Sequence, residues 1–104
     1  MILYHGSNIV VDQPKILQSE RMLDFGEGFY TTSNREQAER WSERVSQRRN
    51  LNIQVISEYH FDVDAAISEL KVRKLYNQTL FHTEKSLHYC HYIRSFQLGG
   101  ASNG

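Results

Sequence analysis

The stretch from Asn52 to Asp62, N-I-Q-V-I-S-E-Y-H-F-D, is rich in β-branched and aromatic residues. It alternates so that Ile53, Val55, Ser57, Tyr59 and Phe61 fall on one face, which predicts a strand. A strand with one apolar face needs neighbours, because isolated strand pairs are at best marginal in water. The chain has 104 residues, so those neighbours belong to one domain. A domain of this size buries only about two-thirds of its unfolded surface, and its core is thin.

Other short extended pieces are legible. Ile2 to His5 reads as a strand entering a Gly6-Ser7-Asn8 turn, and Pro14 ends regular structure after Ile9-Val10-Val11. Lys15 to Gln18 and Gln78 to His82 read as further extended segments, and Phe96 and Leu98 close a last strand. The clearest helix begins after Ser33. With Glu36 three residues on, Ser33-Asn34-Arg35-Glu36 has the spacing of a capping box. Ala38, Trp41 and Val45 form the expected buried stripe, and the helix should stop near Asn50. Asp64 to Lys71 fits one or two helical turns. Thr83 is the expected cap of a second main helix, with Leu87, Cys90 and Ile93 or Arg94 along one side. Strands alternate irregularly with helices, which gives an α+β class without choosing a topology.

Charge and cysteine content exclude several classes. The chain carries 12 basic and 12 acidic side chains. A nucleic-acid partner normally demands a basic surplus, and so does a polybasic membrane surface. The N-terminus meets polar residues too early for a signal segment, and no apolar run approaches the ~20 residues of a membrane helix. A single cysteine, Cys90, cannot form an internal disulfide and fits a reducing, cytoplasmic setting. Its spacing from Leu87 assigns it to the core and not to nucleophilic chemistry. His82, His88, Cys90 and His91 cluster in sequence, with His60 elsewhere. They lack a paired C-x-x-C, so no metal is expected.

Three segments concentrate histidine, glycine and aromatic residues: Y-H-G-S at Tyr4 to Ser7, D-F-G-E-G-F-Y-T-T at Asp24 to Thr32, and Q-T-L-F-H-T-E-K-S-L at Gln78 to Leu87. The second is not a phosphate loop, because it lacks that motif's Lys-Ser/Thr pair. In combination and order the three resemble the ADP-ribosyltransferase superfamily, in its histidine–tyrosine–glutamate branch of diphtheria-toxin and poly(ADP-ribose) polymerase type. The chain is more closely similar to a bacterial family catalogued as a domain of unknown function, number 3990. Relative to that family, sequence is missing near residues 72–75. The resemblance then implies a shortened fold: a split antiparallel β-sheet with two main helices over residues 1–98, followed by a flexible tail at 99–104. Sheet edges left beside the gap would favour homo-oligomers.

The resemblance also implies a site. NAD would be the substrate, lying in a cleft of the split sheet, with His5, Tyr30 and Gln78 as the catalytic set. His5 would bind a ribose hydroxyl through one ring nitrogen while the protein holds the other. Gly6 would offer its backbone to the nicotinamide carboxamide, a close approach that a Cβ would block. Ser7 would add a hydroxyl, Tyr30 would stack on the nicotinamide, and Phe29 and Gly28 would complete the pocket. Gln78 stands where the resemblance expects a glutamate, and an amide cannot neutralise the sugar cation formed on glycosidic cleavage. Glu27 and Glu84 are the carboxylates nearest these motifs in sequence. The implied activity is NAD-dependent mono-ADP-ribosyl transfer of toxin or effector type to an unidentified acceptor, without chain elongation. The alternatives are a binding remnant for NAD or ADP-ribose, and a truncated domain that depends on self-association. A relative of the RNA 2′-phosphotransferases fits less well, because apart from Arg21 the motif region offers little arginine.

Overall fold

The computed structural model describes residues 1–16, 28–63 and 72–98. They form an α+β fold with an antiparallel sheet of order β4-β5-β2-β1-β3-β6. The strands are β1 (Ile2–Ser7), β2 (Phe29–Thr32), β3 (Gln54–Phe61), β4 (Val72–Leu75), β5 (Gln78–Phe81) and β6 (Cys90–Leu98). The helices are α1 (Arg35–Arg48) and the short α2 (Glu84–Leu87). The expectations for Leu17–Gln18, for Asp24–Glu27 with Gly26, for Asp64–Lys71 and for the tail at 99–104 lie outside the described residues, as do Arg21 and Glu27.

β3 is the strand that its alternation predicts, except that it starts at Gln54 and leaves Ile53 outside it and exposed. Val55, Ser57, Tyr59 and Phe61 are all buried, opposite Ser7, His5 and Leu3 of β1 for the first three. This face carries the main core: Leu3, Phe29, Tyr59, Phe61, Phe81, Leu87 and Cys90. Edge-to-face ring pairs tie it together, Phe29 with Tyr59 at 5.6 Å and Phe61 with Phe81 at 5.0 Å. The segment after β1 crosses the same face. Val11 donates its N–H to Ser57 Oγ (3.2 Å) and accepts from the Tyr59 hydroxyl (2.5 Å).

α1 covers the other face, and here two sequence expectations are corrected. Its cap is Asn34, not Ser33: Asn34 Oδ1 accepts from the Gln37 N–H at 3.3 Å. Ser33 is drawn aside, with its N–H and hydroxyl both donating to the Asn77 carbonyl of the β4–β5 turn, at 2.8 and 3.3 Å. The fully buried stripe is Ala38, Ser42 and Ser46, while Trp41 and Val45 are only half-buried. The reason is the closeness of α1 to β1. A Cβ on Gly6 would lie 1.9 Å from the Ala38 carbonyl oxygen and 2.8 Å from the Ser42 nitrogen. At that separation only small side chains fit beneath the helix, and larger ones move to its flanks. The serine hydroxyls are satisfied locally: Ser42 donates to Glu39 O at 2.7 Å and Ser46 to Leu51 O at 2.6 Å. The helix ends where expected, with Arg49 as C-cap and Asn50 turning the chain at φ 54°.

The end of the chain differs from the sequence expectation too. Thr83 does cap α2, through a reciprocal pair with Ser86. However, α2 stops at Leu87, and Cys90, Ile93 and Arg94 belong to β6. The alternation of Cys90 inward and His91 outward, with β-branched and aromatic neighbours, fits a strand beside β3 better than a helix. Ile93 is an extra residue in that ladder, because Glu58 faces Arg94 and the adjacent Tyr59 faces Tyr92. Beside the expected gap, β4 pairs with β5 along its whole length, so β5 is not left as an open edge. The two strands are joined by Tyr76-Asn77, with Tyr76 at φ 53°.

The seat of α1 gives a direct test. Gly6→Ala places a methyl group against helix backbone that cannot rotate away, and overpacking of this kind costs roughly 1–3 kcal/mol or more. A clear fall in the urea midpoint is expected for Gly6→Ala, and little change for Ser7→Ala on the opposite face.

Candidate functional site

His5, Tyr30 and Gln78 stand on three consecutive strands of the sheet, β1, β2 and β5. They meet where the sheet is weakest. β1 and β2 share one register pair, Tyr4 with Thr32, whereas β1 and β3 share six. Beyond Tyr4 the imidazole of His5 bridges the seam, its Nδ1 lying 2.8 Å from the Tyr30 carbonyl oxygen. A carbonyl only accepts, so Nδ1 carries the hydrogen and donates it. In the neutral ring this leaves Nε2 as an acceptor. The ring stacks on Phe29 with centroids 4.5 Å apart and planes 27° from parallel.

Alternation along the strands separates the side chains. His5 faces the main core with Phe29. Tyr30 follows Phe29 in β2 and takes the opposite face, the face of α1. Gln78 pairs with Thr32 and so shares the face of Tyr30, as its diagonal neighbour. The structure therefore brings Tyr30 and Gln78 together and sets His5 against the backbone of Tyr30 instead of its ring. Both glycines of the site have structural work. Gly6 is the seat of α1, and a Cβ on Gly28 would come within 2.9 Å of the Phe81 carbonyl oxygen. Ser7 ends β1 opposite Val55. Phe29 is 5% exposed and is a core residue as well as a partner of His5.

Among the described carboxylates, Glu84 is engaged away from the seam, accepting from the Ile16 N–H at 2.9 Å. Glu58, not singled out from sequence, is buried opposite Tyr4 on the α1 face and accepts from Arg94 Nε at 3.2 Å. The alternation of β3 already turned it away from Tyr59; only the pairing of β1 with β3 brings it beside Tyr4. Cys90 is buried, and burial pushes its thiol up to about 12, which keeps it protonated and non-nucleophilic at neutral pH. No helix among the described residues is long and apolar enough to cross a membrane.

Burial holds the His5 imidazole below its ordinary value of 6.5, and the hydrogen bond to Tyr30, which acts in the opposite direction, offsets only part of this. The sign for stability follows. Just below pH 6.5 the unfolded chain binds a proton at this residue and the folded chain does not. The contribution of His5 is thus complete above pH 6.5 and is lost as the pH falls toward its folded value. The slope from one such group is at most about 1.4 kcal/mol per pH unit. Denaturant midpoints measured between pH 5 and 8 should fall less steeply on the acid side in His5→Gln than in the parent protein.

Comparison with known proteins adds one finding. No curated protein and no solved structure matches the chain. Residues 1–66 match the family described as "Protein of unknown function (DUF3990)". The matched region contains His5, Gly6 and Tyr30, and it ends before Gln78. It spans more than half of the 104 residues, and the chain accordingly belongs to the DUF3990 family.

Proposed function

We propose that this protein is an ADP-ribosyltransferase-like domain that binds NAD or ADP-ribose at the seam between β1 and β2, and that binding predominates over transfer. The observation that supports this most is the state of His5. Its Nδ1–H is committed to the Tyr30 carbonyl, so Nε2 is preset as an acceptor for a ribose hydroxyl at the point where the sheet parts. Tyr30 and Gln78 supply a ring and an amide on the other side of the same strands, which a ligand held by Nε2 would reach only where the strands part. The ring suits stacking on a nicotinamide or adenine, and the amide suits a hydroxyl or carboxamide.

Cleavage of the nicotinamide glycosidic bond asks for more. It needs the ribose held between all three groups and a negative charge near the developing cation. His5 lies across the sheet from Tyr30 and Gln78, and Gln78 is uncharged. A second reading, NAD-dependent mono-ADP-ribosyl transfer, draws on the same Nε2 and would require the seam to open on binding.

Calorimetry with NAD and with ADP-ribose tests binding, and release of free nicotinamide tests transfer. Tyr30→Ala should weaken NAD binding about 5- to 150-fold, the equivalent of a lost stack of roughly 1–3 kcal/mol. Nicotinamide release should be slow in the parent and faster in Gln78→Glu. Absence of any NAD or ADP-ribose binding by the folded protein would sink both readings. Rapid release by the parent would favour the second.

A further inference from the structure

His60 and His91 are register partners on β3 and β6, on the face of α1. Both are exposed. Cβ atoms of directly opposed residues in an antiparallel pair lie about 4.5–5.5 Å apart, so their side chains stand next to one another. Neither imidazole has a hydrogen bond, ion pair or ring contact with any described residue. The next pair along the same face, Glu58 and Arg94, is closed on itself by a 3.2 Å ion pair.

The geometry points to a two-imidazole site for a divalent cation of the zinc, nickel and copper class. Imidazole nitrogen ligates such ions at about 2.0–2.1 Å. Two rings projecting from opposed positions can converge on one ion, with water filling the remaining positions. The sheet holds the two residues in register at the outset, so the second bond forms at high effective concentration. Hard cations such as Mg²⁺ and Ca²⁺ prefer oxygen ligands and should not compete. No group of three or more metal-ligating residues occurs among the described residues. The site is therefore an open, two-ligand one and not a closed structural centre. It is separate from the NAD reading, since His60 and His91 lie at the β3–β6 side of the sheet.

The test is titration of Zn²⁺, Ni²⁺ and Cu²⁺ separately into the full chain, followed by calorimetry and by the NMR signals of the five histidine rings. One ion per chain should bind, with Cu²⁺ tightest, and the shifted ring signals should be those of His60 and His91. His60→Ala and His91→Ala, both surface changes, should each weaken binding on the order of a hundredfold, the loss of chelation. His88→Ala, at another exposed position, should leave it unchanged. Equal affinity in either single variant, loss in His88→Ala, or binding of Mg²⁺ at the same rings would overturn the assignment. So would a folded parent that binds none of the three ions at millimolar concentration.

Discussion

Between β1 and β2 the backbone ladder ends after Tyr4 and Thr32, and the imidazole of His5 serves as the next rung by donating to the Tyr30 carbonyl. The two halves of the sheet, β4-β5-β2 and β1-β3-β6, are joined there by little else in the way of backbone pairing. Side chains on both faces make up the difference. On one face His5, Phe29 and Tyr59 form a continuous run of rings from β1 through β2 to β3. A polar ring at this position can do what an aliphatic residue cannot: it packs on Phe29 and at the same time donates to the Tyr30 carbonyl.

On the other face the constraint is closeness. α1 lies so near β1 that the helix backbone occupies the volume of a Gly6 side chain. That contact explains the small residues Ala38, Ser42 and Ser46 beneath the helix and the outward displacement of Trp41 and Val45. It also changes the meaning of Gly6. A close backbone approach that a Cβ would block is made here by the helix, which gives Gly6 a structural reason of its own.

The histidines show how far proximity in sequence can mislead. His82, His88, Cys90 and His91 look like one cluster along the chain. In the fold, Cys90 points into the core and His91 to the opposite face, as neighbours on a strand must. The neighbour that His91 acquires is His60, roughly a third of the chain away, through the pairing of β3 with β6. Likewise, Glu58 becomes a carboxylate beside Tyr4 only because β1 lies between β2 and β3.

Local patterns were sufficient for the α+β class, for the inward face of β3, for the Thr83 cap and for the end of α1 near Asn50, because each depends on side chains a few residues apart. His5 and Tyr30 were marked as residues of interest by the resemblance of three motifs to a known family and not by local pattern. What local patterns did not contain was distance across the sheet. The shift of the α1 cap from Ser33 to Asn34 came from the β4–β5 turn capturing Ser33. Phe96 and Leu98 stand in the last strand as expected, and its extension back over Cys90–Arg94, expected as helix, came from the partner offered by β3. The division of His5 from Tyr30 and Gln78 came from strand alternation combined with strand order. The chain's own residues determined which groups are present. Tertiary pairing decided which face each one occupies, because a one-residue step along a strand reverses the direction of its side chain.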